Sequence, residues 1–156
     1  MKTYNEIKLA QELIRFPTIK TEDKGIMRFL SKKLTAIGFK CTLIKSKGIG
    51  PKPAVNLYAR YGKSKPHIMY LGHTDVVANL DNWKFPPFKA VVSKGYLNGR
   101  GSQDMKGGIA CWISAVSNFV KYNQFKGSIS IIISADEETT GYGCPTVLKY
   151  LRKKGE

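Results

Sequence analysis

The chain has 156 residues, 42% of them hydrophobic and 24% charged, with a formal net charge of +15 at pH 7. That length and balance suit one domain with a buried core and exclude a disordered tail. Uninterrupted apolar runs reach only a few residues, far short of the ~20 needed to cross a bilayer. Met1-Lys2-Thr3-Tyr4-Asn5-Glu6 opens a charged amphipathic stretch, unlike a secretory signal. Cys41, Cys111 and Cys144 form no Cys-x-x-Cys pair, so neither a disulfide framework nor a thiolate zinc site is expected, and a reducing cytoplasm is the expected setting. The basic residues are scattered from Lys2 to Lys154 with no run longer than Arg152-Lys153-Lys154, which disfavours a nucleic-acid module despite the charge.

In chain order, hydrophobic periodicity predicts a helix over 4–16, with Ile7, Ala10, Leu13 and Ile14 inward and Pro17 as its stop. A second helix is predicted over 23–37, with Ile26, Phe29, Leu30 and Leu34 as its stripe and Gly38 terminating it. A strand over 39–44 follows, then a loop over 45–53, a strand over 54–61, a turn over 62–66 and a short apolar strand over 67–71. Residues 74–90 read as loop, and Val91-Val92 and Tyr96-Leu97 as a hairpin around Lys94-Gly95. A long helix is predicted over 105–122, the most apolar strand over 128–134, and a last helix over 146–153. Helices alternating with continuous apolar strands predict an α/β layer fold with a largely buried sheet.

The chain has eleven acids, and three of them form the block Asp136-Glu137-Glu138 after the 128–134 strand. Gly72-His73-Thr74-Asp75 follows the 67–71 strand, and residues 99–108 (Gly-Arg-Gly-Ser-Gln-Asp-Met-Lys-Gly-Gly) open the long helix. Sites in α/β sheets form beyond the carboxyl ends of strands, so all three groups can share one edge. One His, one Asp and one Glu are donors that zinc accepts. Asp75 is placed to accept the second N–H of the His73 ring and fix its tautomer. Glu137 and Glu138, on an extended backbone, are expected to point to opposite sides, one to a metal and one to the attacking water. A dinucleotide fingerprint is excluded because Gly-x-Gly-x-x-Gly requires glycine at 104, where Asp104 stands. No Gly-x-x-x-x-Gly-Lys-[Ser/Thr] loop and no Gly-x-Ser-x-Gly elbow occurs.

Gly72-His73-Thr74-Asp75-Val76-Val77, Trp83 with Pro86-Pro87-Phe88, Gly99 through Gly107, and Ser134-Ala135-Asp136-Glu137-Glu138 together resemble the co-catalytic zinc amidohydrolases and peptidases. That family includes succinyl-diaminopimelate desuccinylase, acetylornithine deacetylase, aminoacylase and glutamate carboxypeptidase, and the desuccinylases are nearest. The resemblance implies a three-layer α/β zinc-peptidase-like catalytic domain with a mixed, largely buried sheet. It implies His73, Asp104 and Glu138 as ligands to two zinc ions (cobalt being an alternative), with Asp104 bridging. It implies Glu137 as the general base and Asp75 as the group orienting His73. The expected reaction is hydrolysis of the amide of an N-acyl amino acid, most specifically N-succinyl-diaminopimelate.

The family also uses an acidic ligand further downstream and a His near the end of a longer chain. Residues 1–156 are therefore expected to be the amino-terminal portion of the catalytic domain, truncated and without the family's lid or dimerisation domain. A missing carboxyl-terminal part or second chain would complete it. On this expectation part of the sheet is uncovered, and the chain alone is incomplete or inactive. His67 lies about 20 Å along the strand from His73, too far to substitute; Cys144 is the other candidate donor. The alternatives are a non-enzymatic remnant or binding module of the same fold, another member activity such as acetylornithine deacetylation, and, least favoured, a basic nucleic-acid-binding domain.

Overall fold

In the computed structural model, residues 1–49, 51–78 and 81–156 are described. Gly50 and Asn79-Leu80, which fall in the predicted loops 45–53 and 74–90, lie outside them. The elements run α1 (Glu6–Ile14), α2 (Ile26–Thr35), β1 (Lys40–Ser46), β2 (Ala54–Gly62), β3 (His67–His73), β4 (Val91–Ser93), β5 (Tyr96–Asn98), α3 (Lys106–Tyr122), β6 (Ser128–Ser134) and α4 (Gly143–Lys154). Every predicted element is present.

The boundaries moved where capping chemistry acts. Asn5 caps α1, its side chain accepting the Lys8 N–H at 3.0 Å. Asp23 accepts the N–H groups of Gly25 and Met27 at 2.8 and 3.1 Å, so α2 starts at Ile26 instead of at residue 23. Gly38, at φ +95°, ends that segment as predicted. Two inward positions were misassigned: Ile7 is exposed and Leu9 takes its place, and Phe29 is half-buried beside Phe16 while Met27 is fully buried. The β4–β5 hairpin turns through Lys94 and Gly95, both at positive φ, as its strand twist requires.

The main sheet has the order β1-β2-β6-β3. β1 pairs antiparallel with β2, β2 antiparallel with β6, and β6 parallel with β3, a mixed sheet as predicted. β6 is buried at every position because its alternate side chains face two cores. Ile129, Ile131 and Ile133 join residues of α1, α2 and α3 on one face. Ile132 joins Ile44, Tyr58 and α4's Val147 and Leu151 on the other. The result is three layers, helix–sheet–helix.

Among the described residues, β3 is an edge of this sheet, and its Ile68, Met69 and Leu71 are exposed. This is the uncovered sheet the sequence reading expected. None of the described helices is long and apolar enough to cross a membrane.

The register that matters for chemistry is His73 opposite Ser134. Parallel pairing ends β3 and β6 at the same edge, and the Thr74 N–H continues the ladder to the Ser134 carbonyl at 3.0 Å. Residues 73–75 and 135–138 therefore leave the sheet side by side.

Candidate metal centre

His73 is buried at the end of β3, and its ring is held at both nitrogens. Nδ1 lies 3.1 Å from the Asp75 carbonyl oxygen and 3.5 Å from Asp75 Oδ1. Nε2 lies 2.9 Å from Asp104 Oδ1 and 3.7 Å from Glu137 Oε2. Asp104 comes from the turn just before α3, whose backbone is fixed by Lys106 N–H donating to the Gly101 carbonyl at 2.9 Å. One donor atom from each of His73, Asp104 and Glu138 lies within 4.8 Å of the others. The three residues expected as ligands are therefore brought together, with Glu137 beside them.

Asp75 does more than orient an imidazole. Its carboxylate is 1% exposed, and Oδ2 accepts the backbone N–H of Glu138 at 2.9 Å. One buried carboxylate thus touches His73 on one side and fixes the Glu138 backbone on the other. The contact to the ring runs chiefly through the Asp75 backbone carbonyl, with the carboxylate slightly further away.

One expectation needs correction. Glu137 and Glu138 do not sit on an extended backbone. Residues 137–140 form a turn closed by the Thr139 and Gly141 N–H groups on the Asp136 carbonyl, at 3.3 and 2.8 Å. The turn aims both glutamates at the same site. Asp136, the first residue of the acidic block, faces away from them. It is 0% exposed and accepts Gly143 N–H at 2.8 and 3.0 Å and the Thr140 hydroxyl at 2.7 Å. It is a cap joining β6 to α4. Cys144 lies outside the triad, and burial, followed by the Asp136 charge, raises its thiol pKa and keeps it a thiol. His67 bonds the Ser130 hydroxyl at the opposite end of β3.

The electrostatics suit a cation. Burial alone would lower the His73 pKa, but hydrogen bonding and the charge of Asp75, then Asp104, outweigh it and raise the ring to about 9. Burial, then the charges of Asp104 and Glu137, push the Glu138 carboxyl up, although His73 opposes this. Without metal, a proton on Nε2 sits between His73 and Asp104 where a cation would relieve the repulsion among the carboxylates. Nitrogen and oxygen donors in this number fit zinc.

Sequence reasoning missed Lys106, which it treated only as a helix opening. The side chain is 0% exposed; its Nζ donates to the Phe16 carbonyl at 2.8 Å and lies 6.0 Å from the centre of the Phe88 ring. Burial lowers its pKa to about 8, opposed by the Asp75 charge. A charged residue inside a glycine-rich run was the available signal, but such residues are usually solvated.

These two shifts predict the pH dependence of the metal-free protein. His73 rises from 6.5 to about 9 on folding, so its stabilisation is complete below pH 6.5 and is lost as pH climbs to about 9. Lys106 falls from 10.5 to about 8, so it destabilises most below pH 8 and stability returns as pH rises toward 10.5. Stability is therefore expected to be lowest between about pH 8 and 9. Urea unfolding from pH 6 to 10.5 in the presence of a chelator measures it. Stability that climbs steadily from pH 6.5 to 9 contradicts the assignment, and His73→Asn should remove the falling limb.

Comparison with known proteins gives one consistent result. The family model described as Peptidase family M20/M25/M40 matches residues 69–156, the stretch that holds all the donors above. A succinyl-diaminopimelate desuccinylase of Pelagibacter ubique is 50% identical over 160 residues, covering 100% of this chain and 42% of that protein. The Ehrlichia canis protein of the same name is 45% identical over 149 residues, covering 93% of this chain and 39% of that one. Among solved structures, human carnosine dipeptidase 1 superposes with a TM-score of 0.80 at 22% identity, over 95% of this chain and 35% of that one. The dipeptidase Dug1p of Saccharomyces cerevisiae gives 0.78 at 23%, over 94% and 35%. At such identity these structures establish the fold, and the chain spans about two fifths of the length of the relatives it matches in sequence.

Proposed function

The chain belongs to the peptidase family M20/M25/M40, and on that premise we propose that it is the amino-terminal, metal- and base-bearing portion of a zinc-dependent amidohydrolase. The observation that carries this reading is the clustering of His73, Asp104 and Glu138 donor atoms within 4.8 Å beside Glu137. His73, Asp104 and Glu138 would hold the metal. Zinc held there would supply Lewis-acid polarisation of an amide carbonyl and a lowered pKa for water. Glu137, exposed and with Oε2 3.7 Å from His73 Nε2, takes a proton from the attacking water and returns it to the leaving amine nitrogen. Asp75 holds the imidazole and the Glu138 backbone fixed while this happens.

The substrate is N-succinyl-diaminopimelate in this reading, following the names of the relatives at 50% and 45% identity. A polyanionic substrate of that kind is attracted by a chain of net charge +15. The remaining ligands would come from further polypeptide, covalently continuous or a second chain.

The test is zinc uptake and hydrolysis of N-succinyl-diaminopimelate, by the chain alone and mixed with the carboxyl-terminal remainder of the Pelagibacter relative. Zinc binding by the chain, and hydrolysis in the complemented sample that Glu137→Ala abolishes, are expected. A confirmed complex that takes up zinc but hydrolyses no N-acyl amino acid refutes the enzymatic reading. Hydrolysis of N-acetylornithine in its place refutes only the substrate.

A further inference from the structure

Cations scattered along the sequence gather at the end of the sheet remote from the metal centre. Lys40 pairs with Arg60 across β1 and β2, Lys63 follows β2, and Arg152 stands in the last turn of α4. β3 runs seven residues from His67 at this end to His73, so about 20 Å separates the two ends.

Two cavities open here, both bordered by Tyr58, which packs under α4. The smaller, about 280 Å³, is lined by Arg60, His67, Ser130 and Arg152, with Met69 and Leu148 as an apolar wall. The larger, about 580 Å³, lies toward β1 and is lined by Lys40, Thr42, Arg60 and Lys63. Arg60 and Glu156 border both cavities. Among the described lining residues, Glu156 is the one acid against four Lys and Arg side chains.

Glu156 shows how this pocket receives a carboxylate. Its Oε2 accepts the Tyr58 hydroxyl at 2.5 Å and Arg60 Nη1 at 3.1 Å. That contact does not exhaust the guanidinium, which carries five N–H donors. Nη2 donates to Ser128 Oγ at 3.2 Å, and the buried Nε has no acceptor among the described residues. Lys40, Lys63 and Arg152 are exposed, so their charge stands at the cavity mouths. Met69 and Leu148 are 47% and 43% exposed beside it, a surface suited to a carbon chain.

We propose that the smaller cavity is a second, non-catalytic site that binds a small organic polycarboxylate. One carboxylate takes the place of Glu156 on Tyr58 and Arg60, a second faces Arg152, and the carbon chain lies against Met69 and Leu148. Lys40 and Lys63 add attraction from the neighbouring cavity. A volume near the lower end of small-molecule sites, about 300 Å³, limits the ligand to a short chain. The inference is independent of the zinc reading, because no residue is shared between the two sites.

Calorimetric titration of the metal-free protein at pH 7 with glutarate and with tricarballylate tests it, at an ionic strength near 0.15 M that screens attraction from distant charges. Both are expected to bind at one site, the trianion more tightly, and acetate to give no saturable heat. Arg60→Gln should weaken tricarballylate binding roughly tenfold, the loss expected for one charge-assisted hydrogen bond. Arg152→Gln should weaken it about threefold, as a partly screened charge does. Glu156→Gln should tighten it several-fold, because the protein then no longer spends part of its population with its own carboxylate in the site. Lys8→Gln and Lys94→Gln, outside both cavities, should leave it unchanged.

Absence of saturable binding by either carboxylate overturns the proposal, as does binding of tripolyphosphate in place of them. So does an affinity that Lys8→Gln and Lys94→Gln lower as much as Arg60→Gln, the mark of general attraction to a +15 chain. A Glu156→Gln protein with a lower unfolding midpoint and unchanged tricarballylate affinity reduces Glu156 to a plain ion-pair partner and also removes it. If Arg60→Gln does not fold, Arg152→Gln, at an exposed position, carries the comparison.

Discussion

Asp75→Ala is expected to cost the metal-free protein about 3–5 kcal/mol at neutral pH, the usual loss when one member of a buried charged pair is removed. The substitution deletes a 1%-exposed carboxylate, leaves the Glu138 N–H without its 2.9 Å acceptor and strips the protonated His73 ring of its nearest buried counter-charge. At about 2–4 °C per kcal/mol for a domain of this size, the unfolding midpoint should fall by roughly 10 °C. Asp75→Asn restores an acceptor for the Glu138 N–H but no charge, and should recover part of the loss. The deficit of Asp75→Ala should also shrink as pH rises through about 9, where wild-type His73 loses its proton. Calorimetry at pH 7 and pH 9.5 reads both effects. A midpoint within 2 °C of wild type at pH 7 would show that the Asp75 carboxylate is not a structural link between ligands, since a loss below about 1 kcal/mol is that of an ordinary surface site.

The second large effect separates two neighbouring acids that look alike in the sequence. Asp136→Ala is expected to destabilise by about 3 kcal/mol, because hydrogen bonds to a charged acceptor contribute about 1.5–3 kcal/mol each. It removes the acceptor for Gly143 N–H and for the Thr140 hydroxyl. The first residue of α4 then loses its cap, and the buried Val147 and Leu151 lose their fixed approach to the sheet. Glu137→Ala, whose side chain is 61% exposed, should stay within about 0.5 kcal/mol of wild type. Equilibrium unfolding of the two variants side by side decides: equal stability would place Asp136 in the site and not in the fold. Because the Asp136 carboxylate also holds the Thr140 hydroxyl at the end of the 137–140 turn, its loss should loosen that turn and weaken zinc binding, whereas Glu137→Ala should leave zinc binding intact and abolish hydrolysis in the complemented enzyme.

How far the sequence could be read follows from which interactions are local. The α/β layer fold with its largely buried sheet was legible because apolar periodicity reports which face of each element is buried, and that periodicity is written in neighbouring residues. Ile129-Ser130-Ile131-Ile132-Ile133 could only be a strand covered on both faces, and it is. Errors fell where one tertiary contact outweighs a local pattern: Leu9 buried in place of Ile7, and Asp23 capping α2 from outside instead of lying within it.

At the site, residue types and their placement after strands or before a helix pointed to His73, Asp104 and one glutamate of the 136–138 block, and only the family resemblance named Glu138 as the ligand and Glu137 as the base. The sequence by itself determined where the candidate donor residues stand along the chain, and that the +15 chain carries a small local concentration of acid. Tertiary structure alone decided how they are held. Parallel pairing set His73 opposite Ser134, a turn rotated both glutamates inward, and Asp136 was taken by the helix cap. Asp75 was shared between two ligand segments, and Lys106 was buried against a carbonyl 90 residues away in the chain. Burial makes the difference: a charge withdrawn from water must find its partner across the fold, and a linear sequence does not record which partner that is.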